Sequence, residues 1–277
     1  MVLGAGGQLG RAVRRAARGA GRPCVGLDRA ACDVTDATQV EAALARHRPG
    51  TVINCAAYTA VDRAEGDPAA AFAVNATAAG VVARAGAAAG ARSLYVSTDH
   101  VFAGDLDRPY DEDDAVAPVN AYGASKAAGE REVRAAGGTV VRTSWLFAPD
   151  GWGFVPAIVR AVVRGDAVRA VADRHGRPTG VDDLAAALLA LVDAPAGTYH
   201  VAGAGATSWY GLACAIVDAL GADVVVEPIA AAAWPAAAAR PRAAVLSTAR
   251  VEALGLAVPS WRPALAHAVA TLARRTA

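Results

Sequence analysis

Along the first half of the chain, short apolar runs alternate with longer stretches in which apolar residues recur at helical spacing. The short runs are Met1-Val2-Leu3, Cys24-Val-Gly-Leu27, Thr51-Val-Ile-Asn-Cys55, Ser93-Leu-Tyr-Val96 and Thr139-Val-Val-Arg142. Each carries β-branched residues and ends near glycine or small polar residues, which is how a buried strand reads. Helical stretches run from Gly10 to Arg18, around Val40 to Ala45, from Ala69 to Gly86, and onward from Asn120. Strand and helix in alternation predict an α/β fold, a doubly wound parallel sheet of the Rossmann type. Asp33-Val-Thr-Asp36 is expected to close a further short segment and to start the helix at Val40. Only three residues precede Gly4, whereas a strand usually has about 5 or 6. The first strand is therefore expected to be frayed or to extend upstream of Met1.

From Ser144 the pattern loosens. A strand at Val168 to Val171, a turn at Gly176-Arg-Pro-Thr179 and a helix from Val181 to Val192 are followed by Gly197 to Val201, which reads as a strand rejoining the main sheet. A helix at Tyr210 to Leu220, a strand at Val224 to Val226, an alanine-rich stretch broken by Pro235 and a helix from Pro263 complete the chain. All five tryptophans lie in this half and are expected mainly to pack it. The division that follows is a dinucleotide-binding lobe over residues 1–147, with the strand near 197–201 returning to it, and a smaller C-terminal lobe, mainly substrate-binding, over 148–277.

The chemistry sits at the ends of the strands. Gly4-Ala-Gly-Gly7-Gln-Leu-Gly10 joins the first strand to the first helix, where glycines let backbone approach a pyrophosphate and the helix N-terminus attracts it. Asp28 closes the second strand 18 residues after Gly10, placed for an adenosine ribose hydroxyl. Arg29 beside it is suited to a 2′-phosphate, so both NADH and NADPH stay open. Ala56-Ala57-Tyr58 forms a small-residue turn where a cofactor could lie close, and the next strand delivers Ser97 and Thr98 at its carboxyl end.

Composition sharpens one position. Of 27 basic residues 26 are arginine, and Lys126 is the only lysine. It stands four residues after Tyr122, on the same face of a helix whose N-cap is expected at Asn120. A compact ammonium there favours phenolate and would lower the tyrosine from about 10 toward neutrality. Net charge is +1 with acidic residues interspersed, so no basic face suggests nucleic acid. No uninterrupted apolar run approaches the ~20 residues of a membrane span. No charged segment followed by an apolar core precedes the first strand, and Cys24, Cys32, Cys55 and Cys214 have no metal-ligand spacing. A reducing, cytoplasmic setting is expected. Asp111-Glu-Asp-Asp114 resembles a carboxylate metal site but reads as solvated loop, and His100 as a structural or pocket-lining residue.

These motifs together resemble the extended short-chain dehydrogenase/reductase superfamily, and within it the dTDP-4-dehydrorhamnose reductase family. The resemblance is carried by Gly4 to Gly10, Asn54 to Glu65, Ser97 to Gly104, Tyr122 to Glu130, Arg142 to Trp145, Gly176 to Thr179 and Arg240-Pro241, in order over nearly the whole chain. It implies Thr98, Tyr122 and Lys126 as a catalytic triad. Gly4, Gly7, Gln8, Leu9, Gly10, Asp28, Arg29, Asp33, Val34, Ala56, Ala57 and Tyr58, with Tyr122 and Lys126, would hold NADPH or NADH. Thr98, Asp99, Trp145 and Arg240 would face a nucleotide-sugar substrate. No metal, nucleic acid or membrane partner is implied, and a homodimer is left open. The family usually has tyrosine at His100, aspartate at Ala103 and serine at Ala244, which leaves a related deoxysugar open. Related 4,6-dehydratases carry an Asp-Glu pair after the threonine; here Asp99 is followed by His100. The other rival is a non-catalytic, dinucleotide-binding subunit.

Overall fold

The computed structural model describes residues 1–276. Its centre is a six-stranded parallel sheet. In chain order its first strands are β1 (Val2–Leu3), β2 (Gly26–Leu27), β3 (Thr51–Asn54), β4 (Arg92–Thr98) and β5 (Thr139–Thr143), and the Thr198–His200 strand pairs in parallel with β5 at one edge. Across the sheet the order is Thr198–His200, β5, β4, β3, β1, β2. The order reverses between β1 and β3, and in such sheets ligands bind beyond the carboxyl ends of the strands at that point.

Alternation along each strand explains why both faces are covered. Val2, Ile53, Leu94 and Val141 face one side, where α1 (Gln8–Gly19) packs. Leu3 and Val52 face the other, against α2 (Ala37–His47), and Tyr95 and Val140 extend that face. Beyond α2 the chain forms α3 (Val61–Gly66) and α4 (Pro68–Phe72), a π-helical turn over Ala73–Thr77, and α5 (Ala78–Ala88). Then come α6 (Ala121–Ala135), α7 (Phe154–Arg164), α8 (Val181–Leu191) and α9 (Trp209–Leu220). Helix α8 lies beside α1 and buries Leu184, Leu188 and Leu191 in the same core, each such leucine stabilising by about 1.5–3 kcal/mol. A second core joins α7, α9, the Trp261–Thr276 helix and the parallel pair Val168–Val171 and Val226–Ile229.

Several expectations shift. Met1 to Leu3 do form a strand, of two residues, buried between β2 and β3, and the Met1 amino group donates to the Thr51 carbonyl at 2.7 Å. Asp33 to Asp36 form no strand, because the Asp33 carboxylate accepts from both Thr35 N and Thr35 Oγ1 and turns the chain. Asp36 starts α2, as expected, by accepting from Thr38 N and Gln39 N. The C-terminal helix begins at Trp261, two residues ahead of Pro263, a position in the first turn where proline removes no intrahelical bond. The helical run Pro68–Ala88 is long and apolar enough, by length and composition, to cross a membrane, but Asn75, Thr77 and Arg84 interrupt it and half of its most apolar window is buried in the fold. In the acidic loop, Asp114 accepts bidentately from Arg108, while Glu112 is buried and accepts from His200 N at 3.0 Å. Among the described residues no cluster of three or more metal-ligand side chains forms.

Candidate active site

One cavity lies at the carboxyl ends of β1, β2 and β3, and a second is built from the C-terminal half of the chain. The first, about 540 Å³, is lined by Gly4, Gly7, Asp28, Arg29, Asp33, Val34, Ala56, Ala57 and Tyr58 from the sequence-predicted set. Gly6, Thr35, Cys55 and Val74 complete much of the wall and had not been singled out. Gly4 has φ +70°, and a Cβ there would lie 2.6 Å from Ala56 N, so only glycine lets the turn approach the end of β3. Gly10 does not line the cavity; it lets α1 sit on the turn, since a Cβ would run into the Gly4 carbonyl. Leu9 points its side chain into the core. Gln8 is likewise not in the wall; its Oε1 accepts from Trp152 N at 3.3 Å. Gly7 caps α1 with no side-chain bond, which leaves first-turn N–H groups facing this end of the sheet.

At the cavity mouth the Asp28 carboxylate accepts from Ala31 N at 3.0 Å, and the exposed Arg29 guanidinium donates to Asp33 at 3.2 Å. Asp33 is held below the usual carboxylate range, first by its hydrogen bonds to Thr35 and then by Arg29.

Asn120 caps α6 as expected, Oδ1 accepting from Gly123 N at 2.7 Å. Its amide nitrogen donates to the Ala239 carbonyl at 2.8 Å and meets His100 Nδ1 at 3.0 Å. Because that amide nitrogen is a donor, Nδ1 accepts, and the His100 ring packs edge-on to Tyr122 at 5.4 Å. Burial holds His100 below its ordinary range, consistent with a neutral ring.

The Thr98 hydroxyl donates to Asp99 at 2.9 Å and accepts from His100 N at 3.2 Å, and it lies close enough to the Tyr122 phenol to oppose the rise that burial causes there. Asp99 is buried and pushed above the usual carboxylate range by that burial. The structure thus brings Thr98, Asp99 and Tyr122 together.

Lys126 is arranged differently from the sequence expectation. Its side chain is 1% exposed, with Nζ donating to the Val96 carbonyl at 2.6 Å and lying 3.9 Å from the centre of the Tyr95 ring. Tyr122 is not lowered: burial pushes its phenol up to about 12, with the Thr98 hydrogen bond opposing. Burial pulls Lys126 down to about 7, with Glu130 opposing. The ammonium is committed to the β4 carbonyl and the Tyr95 ring, and desolvation outweighs charge at the phenol.

A residue the sequence reading left unassigned holds this centre to the first cavity. Asn75, fully buried in the π turn, accepts from Tyr58 N at 2.8 Å and donates to Tyr58 O at 3.0 Å and Ser125 Oγ at 2.9 Å. It pins the Tyr58 turn, which lines the first cavity, to α6. A lone amide within an otherwise apolar helix was the available signal.

The second cavity, about 400 Å³, is lined by Phe154, Arg169, Arg174, Trp209, Trp234, Ala239 and Arg240 among others. Arg240 forms a bidentate pair with Asp62 at 2.9 and 2.6 Å, which holds that carboxylate down at about 2. Trp145 has φ +47° and stacks on Trp209 at 3.6 Å, so one of its faces is covered by a residue that lines this cavity. Ala244 is buried with Val101, Phe102, Tyr110 and Leu246, so it packs a loop and does not face the cleft. Hydrogen bonds tie α6, which carries Tyr122, to a lining residue of each cavity: to Tyr58 through Ser125 and Asn75, and to Ala239 through Asn120.

A family model described as the RmlD substrate binding domain matches residues 1–274. A dTDP-4-dehydrorhamnose reductase of Streptomyces griseus is 42% identical, over 99% of this chain and 94% of its own length. The chain belongs to the dTDP-4-dehydrorhamnose reductase family. A probable dTDP-4,6-dihydroxy-2-methyloxan-3-one 4-ketoreductase of Streptomyces antibioticus is also 42% identical, over 97% of this chain and 93% of that protein. The family fold is the one seen here: the crystal structure of a dTDP-4-dehydrorhamnose reductase from Bacillus anthracis, in complex with NADP, superposes with a TM-score of 0.92 at 37% identity, covering 95% of each chain.

Proposed function

We propose that the protein reduces the C4 keto group of a nucleotide-linked 4-keto-6-deoxy sugar with NADPH or NADH, dTDP-4-dehydrorhamnose to dTDP-rhamnose being the first choice. The observation that carries this is the Thr98–Tyr122 pair at the end of β4, with one cavity on the glycine turn and another at Arg240. On this reading residues 1–147 with the returning strand hold the dinucleotide, and 148–277 mainly hold the nucleotide sugar.

When bound, the reduced nicotinamide supplies the hydride that reaches the C4 carbon. The chain supplies the proton and the hydrogen bonds. Tyr122 is a phenol at neutral pH, the form that can donate to the developing alkoxide. Thr98, its oxygen held by His100 N, would turn its one hydroxyl proton from Asp99 to the same oxygen. Gly4, Gly7, Gln8 and the backbone at Leu9 and Gly10 would cradle the diphosphate. Asp28, Arg29, Asp33 and Val34 would hold the adenosine end, and Ala56, Ala57 and Tyr58 its middle. Lys126 would meet the nicotinamide ribose after leaving the Val96 carbonyl. Asp99 and Trp145 would face the sugar, and Arg240 the diphosphate of the substrate. The reading extends to a cytoplasmic setting and leaves a homodimer open.

The test is cofactor oxidation with a panel of dTDP-4-keto-6-deoxyhexoses. Turnover of dTDP-4-dehydrorhamnose above the others is expected; preference for another member supports the second reading, a related deoxysugar 4-ketoreductase, which the Streptomyces antibioticus relative favours. No oxidation with any member, in a protein that binds the dinucleotide, would sink both.

Cofactor choice is expected to be permissive. Asp28 and Arg29 both line the cavity mouth, one suited to a free ribose hydroxyl and the other to a phosphate. Measured kcat/KM for NADH and NADPH should differ by less than about a hundredfold, or ~2.7 kcal/mol. A larger preference means that one of the two side chains does not reach the ribose.

A further inference from the structure

Glu130 lies one turn beyond Lys126 on α6 and is fully buried. Its carboxylate accepts four hydrogen bonds: on Oε1 from Ser97 Oγ at 2.6 Å and Arg142 Nε at 2.9 Å, on Oε2 from Arg142 Nη2 at 2.8 Å and Arg134 Nη1 at 3.1 Å. Arg142 is itself buried on β5, with Nη1 3.3 Å from the Glu112 carbonyl and 3.2 Å from His200 Nε2. Burial and the guanidinium hold His200 down at about 3, so its ring is neutral and accepts. The reaction as read above uses none of these groups. Stability is a poor reason for them, because replacing a buried ion pair by apolar residues is often neutral or stabilising. Position is a better one. Helical spacing sets Glu130 on the Lys126 face of α6, and its partner Ser97 immediately precedes Thr98.

We propose that Glu130 is a positioning residue for the reduction, its carboxylate fixing the charge and placement of Lys126 and, through Ser97, the strand end that carries Thr98. The proposal rests on the catalytic reading of Lys126. The groups facing Lys126 are Glu130 on its own helix, Cys55 at the end of β3, and the Tyr95 ring and Val96 carbonyl on β4. Cys55 is pushed up to about 12 by burial and is a neutral thiol, and burial raises Tyr95 well above its ordinary range, so it is a neutral phenol. Glu130 is therefore the anion of this set. The groups facing Glu130 are Arg134 on α6, Arg142 on β5, and Ser97 and Tyr95 on β4, with His200 behind Arg142. Neutralising Glu130 withdraws the charge that opposes desolvation of Lys126. It also leaves the Arg142 guanidinium buried without its counter-ion. Both changes disfavour the ammonium.

The single lysine makes this measurable. Protein labelled with carbon-13 at lysine Cε gives one signal, and its titration reports Lys126 alone. The wild-type midpoint is expected near pH 7 in the free enzyme, matching the basic limb of kcat/KM, which reports free-enzyme groups. In Glu130→Gln the midpoint should fall by at least about one pH unit, and the basic limb should move down with it, leaving activity at pH 7 at least about fivefold lower. The double variant Glu130→Gln/Arg142→Met removes both buried charges at similar volume, and serves where the single variant fails to fold; its midpoint should fall as well. A midpoint that stays put in a folded variant, or one that moves without the rate profile following, overturns the proposal. Either result leaves wild-type reduction intact, whereas an inactive wild-type enzyme would remove the reading beneath it.

Discussion

Lys126→Arg is expected to lose at least about a hundredfold in kcat/KM while still folding. The ammonium occupies a closed site, 1% exposed, with the Val96 carbonyl as its acceptor and the Tyr95 ring beneath it. A guanidinium brings five donors in a planar fork and needs a matching set of acceptors. Overpacking should lower stability by about 1–3 kcal/mol. Charge is conserved, so the loss in rate reports shape and placement. Tyr122→Phe should cost at least as much, because in the proposed mechanism the phenol is the proton donor. The double variant should be little worse than the worse single one, since groups that act as a unit are non-additive. Near-wild-type turnover in Lys126→Arg would refute the mechanism and leave the fold assignment standing.

The same lysine makes a second, independent demand on stability. Burial lowers it from 10.5 to about 7, so between those values the unfolded chain binds more protons than the folded one. Stability contributed at this site therefore rises with pH across that window, and the buried ammonium is most unfavourable at and below pH 7. Lys126→Met should melt higher than the parent at pH 6, with the difference shrinking toward pH 10. Equal melting curves at both pH values would mean that Lys126 is solvated in the free enzyme.

Elements whose cause is local were legible in the sequence. The Gly4 to Gly10 turn, the Asn120 cap and the Tyr122–Lys126 spacing each depend on neighbours within a few residues, and each is found where the spacing put it. The alternation Val2/Leu3, Val52/Ile53 and Val140/Val141 fixed the strands and their two faces. Long-range partners were not legible. Nothing near Arg240 in the chain says that its guanidinium is tied to Asp62, and nothing near Lys126 says that it turns to β4 before it turns to Tyr122. Glu112 sits among three other acidic residues that reach solvent or surface arginines, yet it is buried against His200 because β5 and its neighbouring strand bring that backbone amide to it. The tryptophans are the mixed case. Trp261 packs a core as expected, Trp209 both packs against that core and lines the cavity at Arg240, and Trp234 lines the cavity. Composition counts such residues but does not aim them.

Gly129→Ala should damage both stability and rate, although position 129 touches no reacting group. Gly129 is where α6 meets the π turn: a Cβ there would run into the Asn75 carbonyl and lie 2.7 Å from Tyr95 Oη. Neither neighbour can yield. Tyr95 Oη donates to that same carbonyl at 2.6 Å, and the Asn75 side chain is bound to Tyr58 and Ser125. The helix must move instead, and it carries Tyr122 and Lys126 with it. Overpacking of this kind costs about 1–3 kcal/mol, or a melting temperature lower by roughly 2–4 °C for each kcal/mol in a chain of this size. Misplacing a proton donor by about 1 Å can cost a hundredfold in rate. Gly19→Ala is the control, because a Cβ at that helical position meets nothing within 4 Å; it should be neutral or stabilising by up to about 1 kcal/mol. If Gly129→Ala melts and turns over as the control does, then the Asn75 contact does not set the position of α6, and the link between the cofactor turn and the catalytic helix is broken.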